Sequence, residues 1–429
     1  MLKKSFFVTV IFGLSTLIQL VSNIIITRFF GAKIDLDIFL AAVAVPTIIV
    51  TVIYGTLNDA FLPLYGENKI KNPEKSDQYF LFHFLILTLV SLPLTCVFYF
   101  LSQPISHLLY SVRGVEFVKN VAFQMKYLFF SIPFSVIATV FGTYYYIHKK
   151  FIRFPLAQAI GSIINLTLII LLSPYIGIFS LVLAFVVNII FQIFLIVPPL
   201  KIFKIKNWEV REIRNLFLAW LPLIIGAFAF RSDAILIRSF GSQLASGYLV
   251  YLNLISKIFS LAVGVMTIGI QIVLLPHLVE EIAQKNHQKV IVKINQAKLL
   301  SLGVSILVVI AIVIVSPTVI KFLFVGGKFT LKDGQKVISL LSYFILPGIG
   351  WGIANIFFQP LLALKKTWTV GIINIISLIF GWLIASFINN KFNSPIDAIS
   401  WGLVTLLFTN IILAEIIWQR AKKIYAKQK

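Results

Sequence analysis

Long apolar stretches alternate along this chain with short polar segments that carry most of the lysines and arginines. A helix that spans a bilayer needs about 20 consecutive, mainly apolar residues. The pattern predicts twelve such helices, near residues 5–30, 36–64, 78–102, 122–147, 154–173, 176–199, 214–238, 244–276, 297–323, 337–363, 368–388 and 397–418. The longest connections, near 103–121 and 277–296, are too short for a soluble catalytic domain, which needs at least about 50 residues. We therefore predict an all-α polytopic membrane protein.

Composition supports this prediction. Of the 429 residues, 59% are hydrophobic and only 12% are charged, and the mean hydropathy is +0.98. A soluble domain carries roughly 25% charged residues, so this chain could not cover a water-exposed surface. No Walker A loop is present, which argues against an ATPase. The single cysteine, Cys96, lies in an apolar run, where a buried and inert thiol is the default expectation.

The net charge of +22 indicates orientation rather than nucleic-acid binding. With a cytoplasmic N-terminus, 24 lysines and arginines fall in cytoplasmic segments and 9 in outer segments. Cytoplasmic loops of membrane proteins carry this excess of positive charge. We predict that both termini are cytoplasmic and that the first helix is retained rather than cleaved as a signal peptide. The basic tail from Gln419 to Lys429 should lie near lipid headgroups.

An internal repeat divides the twelve helices into two sets of six. The first span ends in the sequence Arg28-Phe29-Phe30-Gly31, and the seventh ends in Arg238-Ser239-Phe240-Gly241. Pro63 and Pro276 end the second and eighth spans. Six spans return the chain to its starting side, so the repeat is parallel, with a pseudo-two-fold axis along the membrane normal. The predicted organisation is an N-terminal six-helix bundle (1–200), a cytoplasmic linker (201–213) and a C-terminal six-helix bundle with the basic tail (214–429).

Four polar residues inside the seventh and eighth spans are the candidate substrate-binding residues. Ionisable groups at membrane depth are expensive and mark functional sites or structural pairs. Arg231 and Asp233 lie two residues apart in the seventh span, and Asn253 and Lys257 share a face of the eighth. One interpretation is a structural pair of Asp233 with Lys257 or Arg231. The other is a cationic lining for an anionic substrate. No catalytic or metal-binding constellation is predicted.

A second set of residues is predicted to act in gating or coupling. Arg28 and Asp37 lie at the ends of the first and second spans, and Asp59 lies near the inner end of the second. Gly348 and Gly350 follow a proline in the tenth span, where a kinked or bending helix is expected, although close packing would also explain the glycines.

Three segments resemble the MurJ (MviN) lipid II flippases. The first combines Arg28-Phe29-Phe30-Gly31-Ala32-Lys33 with Asp37, Phe39, Pro46 and Asp59-Ala60-Phe61-Leu62-Pro63. The second is Val273-Leu274-Leu275-Pro276-His277-Leu278, and the third is Gly327-Lys328-Phe329-Thr330. The seventh span also looks like the Wzx polysaccharide flippases of the same MOP superfamily. Where MurJ proteins have fourteen helices and cavity arginines in the first two spans, this sequence predicts twelve helices and has Thr16, Ser22 and Val50. Lys257 matches their arginine in the eighth span.

The resemblance implies a flippase that moves a polyprenyl-diphosphate-linked saccharide from the inner to the outer leaflet by alternating access. Its substrate is lipid II or a related cell-surface glycan unit. The resemblance further implies a monomeric, non-enzymatic protein of the bacterial cytoplasmic (inner) membrane, whose partners are the lipid-linked saccharide and membrane lipids. No cofactor is expected, and a coupling ion is left open. The alternative is a MATE-type cation-coupled multidrug antiporter, which would need a carboxylate cluster in the membrane. A membrane glycosyltransferase would need a large outer loop with catalytic residues.

Overall fold

The structure is a computed structural model that describes residues 2–71, 73–199, 210–260, 274, 278, 287–364 and 366–426. It divides into two compact units, Met1–Ile224 and Ile225–Lys429. The first contains α1 (Leu2–Phe30), α2 (Ile34–Ala42), α3 (Ala44–Lys71), α4 (Ser76–Tyr110), α5 (Val115–Leu128), α6 (Ser131–Ile147), α7 (Arg153–Ile176), α8 (Phe179–Leu195) and the start of α9 (Val210–Arg231). The second contains the end of α9, α10 (Asp233–Gly241), α12 (His287–Val319), α13 (Leu331–Leu340), α14 (Ile345–Ala363), α15 (Thr367–Phe392) and α16 (Pro395–Ala426), with α11 (Tyr248–Ser260) between α10 and α12.

The core of the first unit forms around α3, which packs against α4 and α6. Phe61 and Tyr65 of α3 are fully buried and stack with ring centroids 5.7 Å apart. Phe80 of α4 is 5.4 Å from Tyr65, measured between ring centroids. A hydrogen bond of 2.8 Å from the Trp220 indole to the Thr56 hydroxyl joins the first part of α9 to α3. Aromatic burial and a few directed hydrogen bonds therefore fix these helices.

The second unit depends on close helix approach. Helix α15 packs along α16, which also contacts α14 and α10. A Cβ atom on Gly381 of α15 would lie 2.9 Å from the Gly402 carbonyl oxygen of α16, so glycine is required for this contact. Small residues at helix interfaces are the usual means of close packing inside membranes, where hydrophobicity alone does not drive helices together.

The prediction of an all-α polytopic fold is confirmed. Among the described residues, nine helical stretches are long and apolar enough to cross a membrane. Three shorter apolar helices, Leu14–Phe30, Phe179–Leu195 and Tyr248–Ser260, lie at the three remaining predicted positions. The predicted linker 201–213 lies mostly outside the described residues, and the bundle boundaries stay a prediction.

Several local predictions are wrong. The predicted outer loop 103–121 is mainly helical, because α4 continues to Tyr110 and α5 begins at Val115. The predicted loop 277–296 is helical from His287. Cys96 is exposed on the surface of α4 rather than buried. Both kinds of error come from the bilayer environment. An apolar residue such as Cys96 can face lipid instead of the protein interior, and a helix can continue beyond the apolar stretch that marks its span.

Candidate substrate site

The seventh predicted span is interrupted between Arg231 and Asp233. Helix α9 ends at Arg231, which is exposed, and α10 begins at Asp233. The intervening Ser232 is buried and donates its hydroxyl hydrogen to the Phe228 carbonyl at 2.7 Å. Arg231 is exposed whereas Asp233 is half-buried, so the two charged side chains lie in different environments.

The Asp233 carboxylate is held by neutral donors of its own unit. Oδ1 accepts a hydrogen bond from the Ala234 backbone N–H at 2.8 Å, and Oδ2 accepts one from the Trp351 indole at 2.9 Å. Trp351 lies on α14 and stacks on Phe344, with ring centroids 6.3 Å apart. Asp233 is also the first residue of α10, where the helix dipole favours negative charge. The indole partner was not predicted, because 118 residues separate the two side chains.

Helix α11 presents a polar face and buries an apolar one. Leu252, Ile255 and Phe259 are at most 1% exposed. Asn253 and Lys257, one helical turn apart, are half-buried. The face that Asn253 and Lys257 are predicted to share is therefore the more accessible side of α11.

Basic residues outnumber the carboxylate in this region. The charges of Arg231 and Arg238 act on Asp233, and the charge of Arg238 also acts on Lys257. Arg238 lies in the last turn of α10. The basic-residue pattern predicts Arg238 in an outer segment, outside the candidate site. The position of Arg238 in the repeat motif was the one sequence feature that could have identified it as a residue of the candidate site. We call Arg231, Arg238 and Lys257 the cationic cluster.

The glycines of the tenth span lie at tight contacts. A Cβ atom on Gly348 would be 2.4 Å from the Phe259 ring of α11, and one on Gly350 would be 2.9 Å from the Leu407 side chain of α16. Pro347 is in the first turn of α14, where its missing N–H costs nothing. The irregular part of this span lies earlier, in a 3-10 turn at Leu341–Phe344. The predicted bending role of these glycines stays a prediction.

The candidate gating residues of the first unit occupy three different environments. Asp37 is fully buried on α2 and forms an ion pair with Arg113 at 3.2 Å. The Arg113 guanidinium also lies 5.1 Å from the centroid of the Phe117 ring. Arg28 is half-buried in the last turn of α1, and Asp59 is exposed on α3. Of these candidates, the structure shows Asp37 in an ion pair.

The Gly327-Lys328-Phe329-Thr330 segment builds a turn and a helix cap. Gly326 and Phe329 form an isolated β-bridge, and Phe329 is fully buried. Thr330 caps α13 in a capping box with Asp333. The Asp333 carboxylate accepts a hydrogen bond of 2.6 Å from the Tyr251 hydroxyl of α11. These contacts explain the residues of this segment by their structural roles, independently of any substrate.

The described residues contain no group of three or more His, Cys, Asp or Glu side chains that could hold a metal ion.

Together, the apolar helices and the charged residues within them define a polytopic membrane protein with a transporter fold. A solved structure described as "Lipid II flippase MurJ, inward closed conformation" matches with a TM-score of 0.81 and 20% identity, covering 96% of this chain and 87% of that chain. An inward-facing multidrug resistance MATE family transporter of the MOP superfamily matches with a TM-score of 0.79 and 14% identity, covering 96% of each chain. At these identities the likeness shows the fold alone.

The sequence comparisons show the family. The family model described as "Lipid II flippase MurJ" matches residues 26–429, so the chain belongs to the MurJ family. A probable lipid II flippase MurJ of Borreliella burgdorferi is 25% identical over 421 residues, covering 91% of this chain and 79% of that protein. A probable lipid II flippase MurJ of Helicobacter pylori is 27% identical over 173 residues, covering 40% of this chain and 37% of that protein.

Proposed function

We propose that this multi-pass membrane protein moves a polyprenyl-diphosphate-linked saccharide from the inner to the outer leaflet of the bacterial cytoplasmic membrane. The substrate is lipid II or a related cell-surface glycan unit. Membership of the MurJ family, together with the names of the relatives, supports this function. The protein works as a monomer by alternating access, forms no covalent intermediate and uses no cofactor.

The observation that carries the proposal is the excess of positive charge around Asp233. Trp351 and a backbone N–H hold the Asp233 carboxylate. Its single negative charge is outnumbered by the three positive charges of Arg231, Arg238 and Lys257. The cationic cluster thus keeps a net positive charge beside the polar face of α11. A diphosphate is an anion that needs such a surface, because transferring it unpaired into an apolar medium is very costly. The prenyl chain needs no polar path and stays in lipid.

Each candidate residue then has a role. Lys257 and Arg231 contact the diphosphate, and Asn253 hydrogen-bonds the substrate one turn away from Lys257. Asp233 holds the cations in place when the site is empty. Arg28, Asp37, Asp59, Gly348 and Gly350 act in gating. Outward movement of each negative charge gains about 2.3 kcal/mol per 100 mV of inside-negative potential, which can drive the cycle without ATP.

The test is reconstitution of the full chain in liposomes with a fluorescent polyprenyl-diphosphate saccharide. An external reductant scores how much of the lipid has crossed the bilayer, with and without an imposed potential. We expect protein-dependent transfer that speeds up when the starting side is made negative. Transport of an organic cation such as ethidium, without transfer of the lipid, would replace this proposal with the antiporter alternative. Transfer that follows an ion gradient but not the potential would assign the driving force to a coupling ion.

A further inference from the structure

A groove between α14 and α16 shares no lining residue with the cationic cluster. It has a volume of about 470 Å³, within the range of roughly 300–1,000 Å³ for ligand-binding clefts. Phe357 of α14 forms one wall. Two rows of α16 side chains, each with a spacing of four residues, form the other: Ile412, Ile416 and Arg420, then Ile411, Glu415 and Gln419.

The groove changes from apolar to basic along the axis of α16. Ile412 and Ile416 are 55% and 45% exposed, and Arg420 is exposed one turn further on. Eight helical residues rise about 12 Å. An apolar chain can therefore lie against the isoleucines while an attached anionic group reaches the Arg420 guanidinium. The basic tail that begins at Gln419 is the segment predicted to meet the headgroups of the cytoplasmic leaflet.

The one carboxylate in the groove does not repel an anion. The Glu415 Oε2 atom is paired with the Lys298 ammonium of α12, and its Oε1 atom accepts a hydrogen bond of 2.6 Å from Gln419. Lys298 also lies 4.6 Å from the centroid of the Phe357 ring, which holds its ammonium beside Glu415. With Glu415 neutralised by Lys298, the exposed Arg420 leaves this end of the groove with a net positive charge.

We propose that the groove binds one anionic phospholipid of the cytoplasmic leaflet, with an acyl chain against Ile412 and Ile416 and the phosphate at Arg420. Charge complementarity selects an anionic over a neutral headgroup, since a basic residue near an anionic membrane surface gains about 1 kcal/mol. The volume suits one acyl chain rather than a prenyl chain several times longer. The site is independent of the proposed transport function.

Native mass spectrometry of the detergent-purified full chain tests the proposal. Phosphatidylglycerol and phosphatidylcholine with identical acyl chains are titrated separately. We expect one phosphatidylglycerol to bind about fivefold more tightly than phosphatidylcholine, because one basic residue of the groove, Arg420, faces its headgroup. Ile416→Trp should fill the groove and abolish this binding. The matched control Ile314→Trp, at a position of α12 that is 70% exposed, should keep it.

The charge variant Arg420→Gln provides a second criterion that changes no packing. It should bring the affinities for the two lipids to within about twofold of each other. Equal affinities in the wild type, or equal losses in the two tryptophan variants, would overturn the proposal. Displacement of phosphatidylglycerol by an equimolar amount of undecaprenyl diphosphate would assign the groove to a prenyl lipid and would also overturn it.

Discussion

Each unit has a carboxylate within its apolar helices, and the two carboxylates have different hydrogen-bonding partners. In the first unit, Asp37 is fully buried and lies 3.2 Å from the Arg113 guanidinium, which is 12% exposed. In the second, Asp233 is half-buried and is held by an indole and a backbone N–H. In the first unit one cation balances one carboxylate, whereas in the second the three cations of the cluster exceed the single Asp233 carboxylate. The difference explains why the second unit is the better candidate for contact with an anionic substrate.

The repeat motifs show a similar contrast. Gly31, directly after α1, has a φ of 69°, a left-handed conformation that favours glycine. Gly241, at the end of α10, is there for space, because a Cβ atom would lie 2.6 Å from the Leu252 side chain. Glycine is therefore favoured at the same motif position for its backbone conformation in one unit and for close packing in the other.

Removal of the Asp37 carboxylate should have the largest effect on stability. In Asp37→Ala, the Arg113 charge loses its buried partner, and breaking a buried pair costs about 3–5 kcal/mol. We expect a strongly lowered thermal unfolding temperature in detergent. Asp35→Ala is the control, because this exposed carboxylate lies on the same turn of α2. If both variants unfold at the same temperature, the ion pair does not stabilise the first unit.

The next largest effect should come from Gly348→Ala. Its Cβ would lie 2.4 Å from the Phe259 ring, and overpacking a core costs about 1–3 kcal/mol. Gly303→Ala on α12 is the control, since nothing lies within 4 Å of the place that a Cβ atom would occupy there, and replacing glycine in a helix gains up to about 1 kcal/mol. Thermal unfolding compares the two. A Gly348→Ala variant with normal stability but slower flipping would support bending rather than packing.

Trp351→Phe should give the smallest change. It keeps an aromatic ring against Phe344 and removes the N–H that binds Asp233, which should cost about 1 kcal/mol, because Asp233 is half-buried and water can replace the lost donor. The released carboxylate can then pair with one cation of the cluster and compete with the diphosphate, so the KM for the lipid substrate should rise while kcat changes less. Trp401→Phe, at a position that is 51% exposed, is the control. An unchanged KM in Trp351→Phe would separate Asp233 from substrate binding.

Hydropathy was sufficient to locate the spans but not the breaks within them. Four predicted spans each contain two helices, which meet at Val43, at Phe129 and Phe130, at Ser232 and at the turn Leu341–Phe344. A break of one to four residues leaves the average hydropathy of a span unchanged. Only Pro347 and the glycines after it indicated a break in a span, and they lie a few residues beyond the observed turn.

The partners of the charged residues depend on tertiary packing. The Asp37–Arg113 pair is 76 residues apart in sequence, and the Lys298–Glu415 pair is 117 residues apart. Nothing in the sequence selects Lys298 of α12 as the partner of Glu415 of α16, because helical periodicity relates only residues of the same helix. By contrast, the shared face of Asn253 and Lys257 follows from helical periodicity alone, which is why it could be predicted.

The central claim is that the cationic cluster of the second unit contacts substrate, and Lys257→Ala tests it most directly. The initial rate of lipid transfer is measured in liposomes that hold equal amounts of folded protein. Lys126→Ala is the control, because Lys126 lies in a span of the first unit, 5.4 Å from the centroid of the Tyr99 ring. We predict that Lys257→Ala lowers the rate at least about tenfold, as expected for a lost hydrogen bond between charged groups, and that Lys126→Ala stays within about twofold of the wild type. A wild-type rate in Lys257→Ala, or equal losses in both variants, would contradict the account.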